Sequence, residues 1–195
     1  VSVIAANGGR MKHRGGWILT FTGKRIYPLD PRPDELDICD IAHALSLQCL
    51  FNGHVRVFYS VAEHLLRVSR ILPAEFALWG LLHDTPEAYL GDLVSPIKYD
   101  KKFGKEYREA EKRLMGVIAR NFGLTPAAEP RTVKFADRIL LVTEARDLMD
   151  GKAIFSKRYR AIEPLEKRIV PMFSEQAEQA FLDRYYELDR QLYVR

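Results

Sequence analysis

The chain is poor in the features that would place it in a specialised class. It has only two cysteines in 195 residues, Cys39 and Cys49, and no CxxC pair. That argues against a disulfide framework and against a zinc–thiolate site, and a reducing, cytoplasmic setting is the default expectation. No apolar run reaches the length of a membrane span, and the first residues carry no signal-peptide pattern. Charge of one sign is lacking too. The net charge is +4, and short basic clusters such as "YDKKFGKEYR" and "SKRYR" are interrupted by acidic or apolar residues. The dense basic stripe expected of a duplex nucleic-acid binder is therefore missing. Internal repeats and low-complexity linkers are absent as well.

What is present describes an ordinary globular chain. Hydrophobic residues make up 47% and charged residues 29% of the sequence, enough for a core and too apolar for disorder. The length suits one domain with a real core and is short for two. We expect a single domain over residues 1–195. Residues 1–16, "VSVIAANGGRMKHRGG", read as a loose arm, and residues 17–33 as a hairpin. In "GGWILTFTGKRIYPLDP", Trp17, Leu19 and Phe21 alternate with Ile18, Thr20 and Thr22, Gly23 turns the chain, and "RIYPL" returns.

From there the sequence reads as helix nearly to its end. "DELDICDIAHALSLQCLF" places Ile38, Ile41, Ala42, Leu45 and Cys49 at helical spacing, with both cysteines on one helix. "SVAEHLLRVSRIL" opens with Ser60 and Glu63 as a capping box. "PAEFALWGLLHD" starts at Pro73, where a missing N–H is harmless. "KEYREAEKRLMGVIARNFG", "EPRTVKFADRILLVTEARDLMDG" and "SEQAEQAFLDRYYELDRQLYV" supply the later helices, the last within 170–195. The fold class expected is all-α, a helical bundle with a small N-terminal β-hairpin.

Several ionisable residues fall on the apolar faces of these helices. His64 lies three residues after Val61 and four before Val68, and His83 follows Trp79 by four. Asp84 is next to it at the helix end, and Asp137 sits four from both Val133 and Leu141. Each alone has an ordinary explanation: a core histidine with one hydrogen bond, or an aspartate paired with Lys134 or Arg138. Burying a carboxylate is costly unless it is paired or bound to a cation. Together, two imidazoles and two carboxylates make an N₂O₂ set suited to one divalent transition metal, Mn²⁺, Co²⁺, Fe²⁺ or Zn²⁺.

Those four residues stand in the order H…HD…D. With "SVAEH", "LLHDTPEAYLGDLVSPIKY" and "VKFADRILL" around them, the chain resembles the HD-domain metal-dependent phosphohydrolases, over about residues 37–150. Among these it is similar to bacterial 5′-deoxynucleotidases and to related phage and bacterial deoxynucleoside triphosphate hydrolases. The resemblance implies an HD-domain helical core, with His64, His83, Asp84 and Asp137 as metal ligands. It implies that Glu87 orients the attacking water and that Asp92 stands near the scissile ester. Lys98 would contact phosphate, and Asn52, His54 and Arg56 occupy the region where relatives recognise the nucleotide. An Arg-Trp pair of the deoxynucleotidases is not found in "CLFNGH", and Trp17 on the hairpin can offer an aromatic surface for a base instead. His43 is expected to be a pocket residue or hydrogen-bonded core.

The function expected is hydrolysis of the phosphate ester of a small nucleotide, most readily a deoxynucleoside 5′-monophosphate. The alternatives are a deoxynucleoside triphosphate triphosphohydrolase and a nucleotide-binding protein without catalysis. The partner is a small-molecule nucleotide, with no duplex nucleic acid and no membrane. A homodimer is plausible through Phe181, Tyr185, Tyr186 and Tyr193 of the last helix.

Overall fold

The computed structural model describes residues 14–150 and 159–192. Most of the expected arm and Tyr193 lie outside the described residues. The fold is mostly helical with one two-stranded hairpin near the N-terminus, as the sequence patterning predicts. The hairpin is shorter than expected: β1 (Ile18–Leu19) pairs antiparallel with β2 (Arg25–Ile26), in the register Ile18 to Ile26 and Leu19 to Arg25. Its turn is held from outside. Asp40 accepts hydrogen bonds from the Thr22 amide at 2.7 Å and the Thr22 hydroxyl at 2.9 Å. Arg14, at the end of the supposed loose arm, is fixed by Glu35 at 2.5 Å and Asp30 at 3.1 Å.

Helix α1 (Ile38–Leu47) is capped by Asp37, whose side chain accepts from the Cys39 amide. It stops at Leu47, so Cys49 is not on it. Gln48 is extended, and Cys49 instead bridges to Ser60, with the Leu50 amide bonded to the Tyr59 carbonyl at 2.8 Å. The segment 50–60 is thereby closed into a loop. Two residues of that loop, Phe51 and Asn52, adopt left-handed backbone at φ 55° and 53°. Asparagine tolerates this conformation and a bulky phenylalanine rarely does, so the loop stores strain.

Helix α2 (Val61–Ile71) begins with the Ser60 hydroxyl accepting from the Glu63 amide. The expected capping box forms only by this half. The Glu63 carboxylate is fully buried and takes bonds from Arg67 and from the Met172 amide instead, because those donors would otherwise leave it unpaired in the core. Helix α3 (Ala74–Leu82) follows Pro73 and packs closely on α2. A Cβ at Gly80 would come within 2.4 Å of Leu72 Cδ1 and 3.1 Å of the Ser69 backbone.

The short helices α4 (Glu87–Leu90) and α5 (Ser95–Lys98) lead to α6 (Gly104–Asn121), α7 (Arg131–Leu148) and α8 (Ser174–Leu192). The main core gathers apolar residues from α1, α2, α3, α7 and α8, and a smaller cluster seats Ile26 of the hairpin on Leu114 and Ile118 of α6. Phe181, proposed above as dimer surface, is completely buried in the main core. Tyr185 is partly buried against that core, and Tyr186 remains exposed. His43 is a tie between elements, with Nδ1 3.1 Å from Glu178 of α8 and its ring stacked on Phe21 at 3.7 Å. Among the described residues no helix is long and apolar enough to cross a membrane.

The end of α7 is held by Asp147, which is almost fully enclosed and accepts from Arg146, Arg168 and the Ile169 amide. The Arg146 hydrogen bond, opposed by burial, holds this carboxyl well below the usual range. A depressed carboxyl pKa stabilises the fold above the unfolded value, about 3.9, and the contribution fades as pH falls below it. Asp147→Asn is therefore expected to lose about 2 kcal/mol at pH 7. The gap from wild type should narrow as pH drops below about 4. Urea denaturation across pH measures both, and a gap that does not change with pH would contradict the assignment.

Candidate functional site

The tight α2–α3 contact brings His64 and His83 together, with ring centroids 5.7 Å apart and the rings tilted by 55°. Helix α7 crosses behind them and adds Asp137, whose Oδ1 is 3.4 Å from His64 Nε2. One ligand atom from each of His64, His83 and Asp137 lies within 4.8 Å of the others. Asp84 stands beside this group rather than within it, with Oδ2 3.3 Å from His83 Nε2. The two carboxylates are less buried than their helix faces predict, since the Asp137 side chain is 39% exposed. They sit at the rim, where solvent and a ligand can reach them, while the imidazoles form the floor. Lys134, an expected partner of Asp137, pairs with Glu129 at 3.2 Å instead.

Each histidine is oriented by its outer nitrogen. His83 Nδ1 donates to the Gly80 carbonyl at 2.9 Å, which requires the ring proton on Nδ1. His83 Nε2 is then buried with no hydrogen-bond partner. A buried imidazole nitrogen without a hydrogen-bond partner beside two carboxylates fits a divalent cation, the partner these donor types favour. His64 Nδ1 is 2.7 Å from Glu144 of α7.

The carboxylates act on these rings directly. Burial alone would push both histidine pKa values down. Glu144 and Asp137 hold His64 well above its ordinary value, and Asp84 raises His83 to about 9. Burial likewise opposes ionisation of Asp84, but the two histidines outweigh it and hold that carboxyl below its usual range.

The loop after α3 carries two further acids to the same place. The Thr85 hydroxyl donates to the Leu82 carbonyl at 2.7 Å, which turns the chain into α4. Glu87 opens α4, buried, with Oε2 lacking any hydrogen-bond partner. Burial, then the charges of Asp84 and Asp92, push its pKa well up. Asp92 is raised by burial and Asp84, with the Phe51 backbone amide among the groups that oppose the rise. It is not a helix cap, because α5 starts after Val94. Lys98 is half-buried and feels Asp84 and Glu87. Burial disfavours its charge, but its hydrogen bond to Glu111 keeps it firmly cationic.

The remaining expected residues are less engaged. Asn52, His54 and Arg56 lie exposed on the closed loop, whose Phe51 backbone approaches Asp92. Trp17 stays on the hairpin, 46% exposed, with the Arg25 guanidinium 4.5 Å from its ring centroid. Glu144 and Tyr59 escaped the sequence reading. Glu144 follows Asp137 by seven residues on one helix face and lies four residues from both Leu140 and Leu148, which was the available signal.

A helical fold with a buried imidazole pair and rim carboxylates defines a class of protein able to hold a cation. Comparison with known proteins places the chain more closely. No protein-family model matches it. It is 36% identical over 173 residues to the uncharacterized protein YfdR of Escherichia coli, covering 88% of this chain and 95% of that protein. It is 30% identical over 156 residues to the 5′-deoxynucleotidase of Vibrio atlanticus, covering 70% of this chain and 72% of that protein. A 5′-deoxynucleotidase of Pasteurella multocida is 29% identical over 138 residues, 63% of this chain and 69% of its own length. The chain belongs to the family of the Vibrio atlanticus 5′-deoxynucleotidase.

Because both histidines hold protons near neutrality, a cation must displace them. Mn²⁺ binding is expected to release protons, and its apparent affinity to rise with pH through the range in which the two histidines lose theirs, which for His83 is about 9. Calorimetric titration in buffers of different ionisation enthalpy measures the release. Binding without proton release would mean the cation sits elsewhere.

Proposed function

We propose that the chain is an HD-type, metal-dependent phosphohydrolase that removes the phosphate of a deoxynucleoside 5′-monophosphate. The observation that carries this reading is the His64–His83–Asp137 group, whose ligand atoms lie within 4.8 Å of one another. Asp84 beside it would complete the ligand set. Two relatives named 5′-deoxynucleotidase support the choice of substrate class.

A cation held there would supply Lewis acidity at the phosphate and bring the pKa of water toward neutrality. The chain's own groups divide the remaining work. Glu87, buried with a free carboxylate oxygen, is suited to orient the water that attacks phosphorus and to accept its proton. Asp92 holds its proton more tightly than an ordinary aspartate, which suits donation to the 5′-oxygen as the P–O bond breaks. Lys98 remains charged beside both acids, and a phosphate would share it with Glu111. Asn52, His54, Arg56 and Trp17 are the groups available to the nucleoside.

Incubation with deoxynucleoside mono- and triphosphates plus Mn²⁺ or Co²⁺ tests the reading. Inorganic phosphate from the monophosphates is expected. Release of triphosphate would shift the reading to a triphosphohydrolase, and no product from any nucleotide would sink both. Asp84→Ala should lose nearly all bound metal. Glu87→Gln should keep the metal and lose about 10²-fold or more in turnover. Turnover that survived would reduce Glu87 to a helix-start residue.

A further inference from the structure

Helix α7 carries a carboxylate that the reaction above leaves without a task. Glu144 is completely buried, with Oε1 2.7 Å from His64 Nδ1 and 2.9 Å from the Tyr59 hydroxyl. Its Oε2 is enclosed with no hydrogen-bond partner. Taking a carboxylate out of water is costly, and an unpaired oxygen adds to the cost. A glutamine or leucine would fill the same space with less penalty, so packing does not account for the residue.

His64 does account for it. A carboxylate facing Nδ1 fixes the ring proton there and leaves the lone pair on Nε2. That nitrogen faces Asp137 at 3.4 Å. Two residues of one helix face therefore bracket the same imidazole, Asp137 at one nitrogen and Glu144 at the other. His83 is oriented in the same sense by a different device, the neutral Gly80 carbonyl. The two partners differ in consequence. A carbonyl sets the direction of its ring, whereas a carboxylate sets direction and also makes the opposite nitrogen a stronger donor. Tyr59, itself fully buried, donates to the same Oε1 and keeps the carboxylate from turning away.

We infer that Glu144, held by Tyr59, is a positioning residue that fixes His64 as the Nδ1–H tautomer and makes it the stronger of the two imidazole ligands. The inference rests on the cation site proposed above and adds the residue pair that tunes it. The test is the Mn²⁺ dissociation constant of the full chain, with the melting temperature in chelator measured alongside. Glu144→Gln keeps an acceptor without the charge and should weaken Mn²⁺ about tenfold; Glu144→Leu removes both and should weaken it about a hundredfold. Tyr59→Phe should weaken binding several-fold. Histidine ¹H–¹⁵N spectra of the Zn²⁺-loaded wild type should show His64 protonated at Nδ1.

Should the leucine variant fail to fold, the glutamine and phenylalanine variants conserve volume and decide the matter. Dissociation constants in those two within twofold of wild type, with only a lower melting temperature, would make Glu144 structural and overturn the inference. A wild type that binds no Mn²⁺ would remove the cation site itself and this inference with it.

Discussion

Helix α3 lies close against α2 at residue 80, where a glycine leaves room for the Leu72 side chain and the Ser69 backbone. A methyl group there would fall 2.4 Å from Leu72 Cδ1 and 3.1 Å from the Ser69 backbone, so the Leu72 side chain would have to turn aside and the backbones give by a few tenths of an ångström. Across the same helix pair the two imidazole rings stand 5.7 Å apart. The same glycine supplies the carbonyl that orients His83. One glycine thus serves both the packing of the two helices and the direction of one ring.

Buried charge divides the protein into two kinds of region. Glu63 and Asp147 are enclosed acids whose bonds run to arginines and backbone amides, and they tie α2 and α7 to the segment that precedes α8. Such satisfied acids maintain the fold. Glu87 and Glu144 each keep a buried oxygen without a partner, as His83 keeps a nitrogen. These three belong to the cluster formed by α2, α3, α4 and α7, and the fourth such atom among the described residues, the Tyr89 hydroxyl, lies toward Asp40 and Asp37. Polar atoms left unpaired in one place, next to shifted histidine and carboxyl pKa values, are the mark of a site built for something it receives.

The helices and hairpin were legible because their signals are local: apolar spacing, Ser60 and Pro73 at helix starts, glycine at the turn. Errors arose where a local signal met a competing partner. Glu63 has capping-box spacing, but Arg67 and the Met172 amide claim its carboxylate. Cys49 continues a helical pattern, but the bridge to Ser60 draws it into extended structure. Phe181 read as surface because helix periodicity does not say which face meets the core, and here that face is buried.

The sequence by itself determined the helical class, the hairpin and the candidate group of His64, His83, Asp84 and Asp137, since residue type and helical period are written in the chain. Only the tertiary structure decided how those residues meet. It brought His64, His83 and Asp137 within 4.8 Å and left Asp137 more open than its helix face suggested. It also joined Tyr59, Glu144 and His64 across 85 and 80 residues of sequence. Contacts of that separation depend on how helices cross, and the crossing is set by packing that no local pattern encodes.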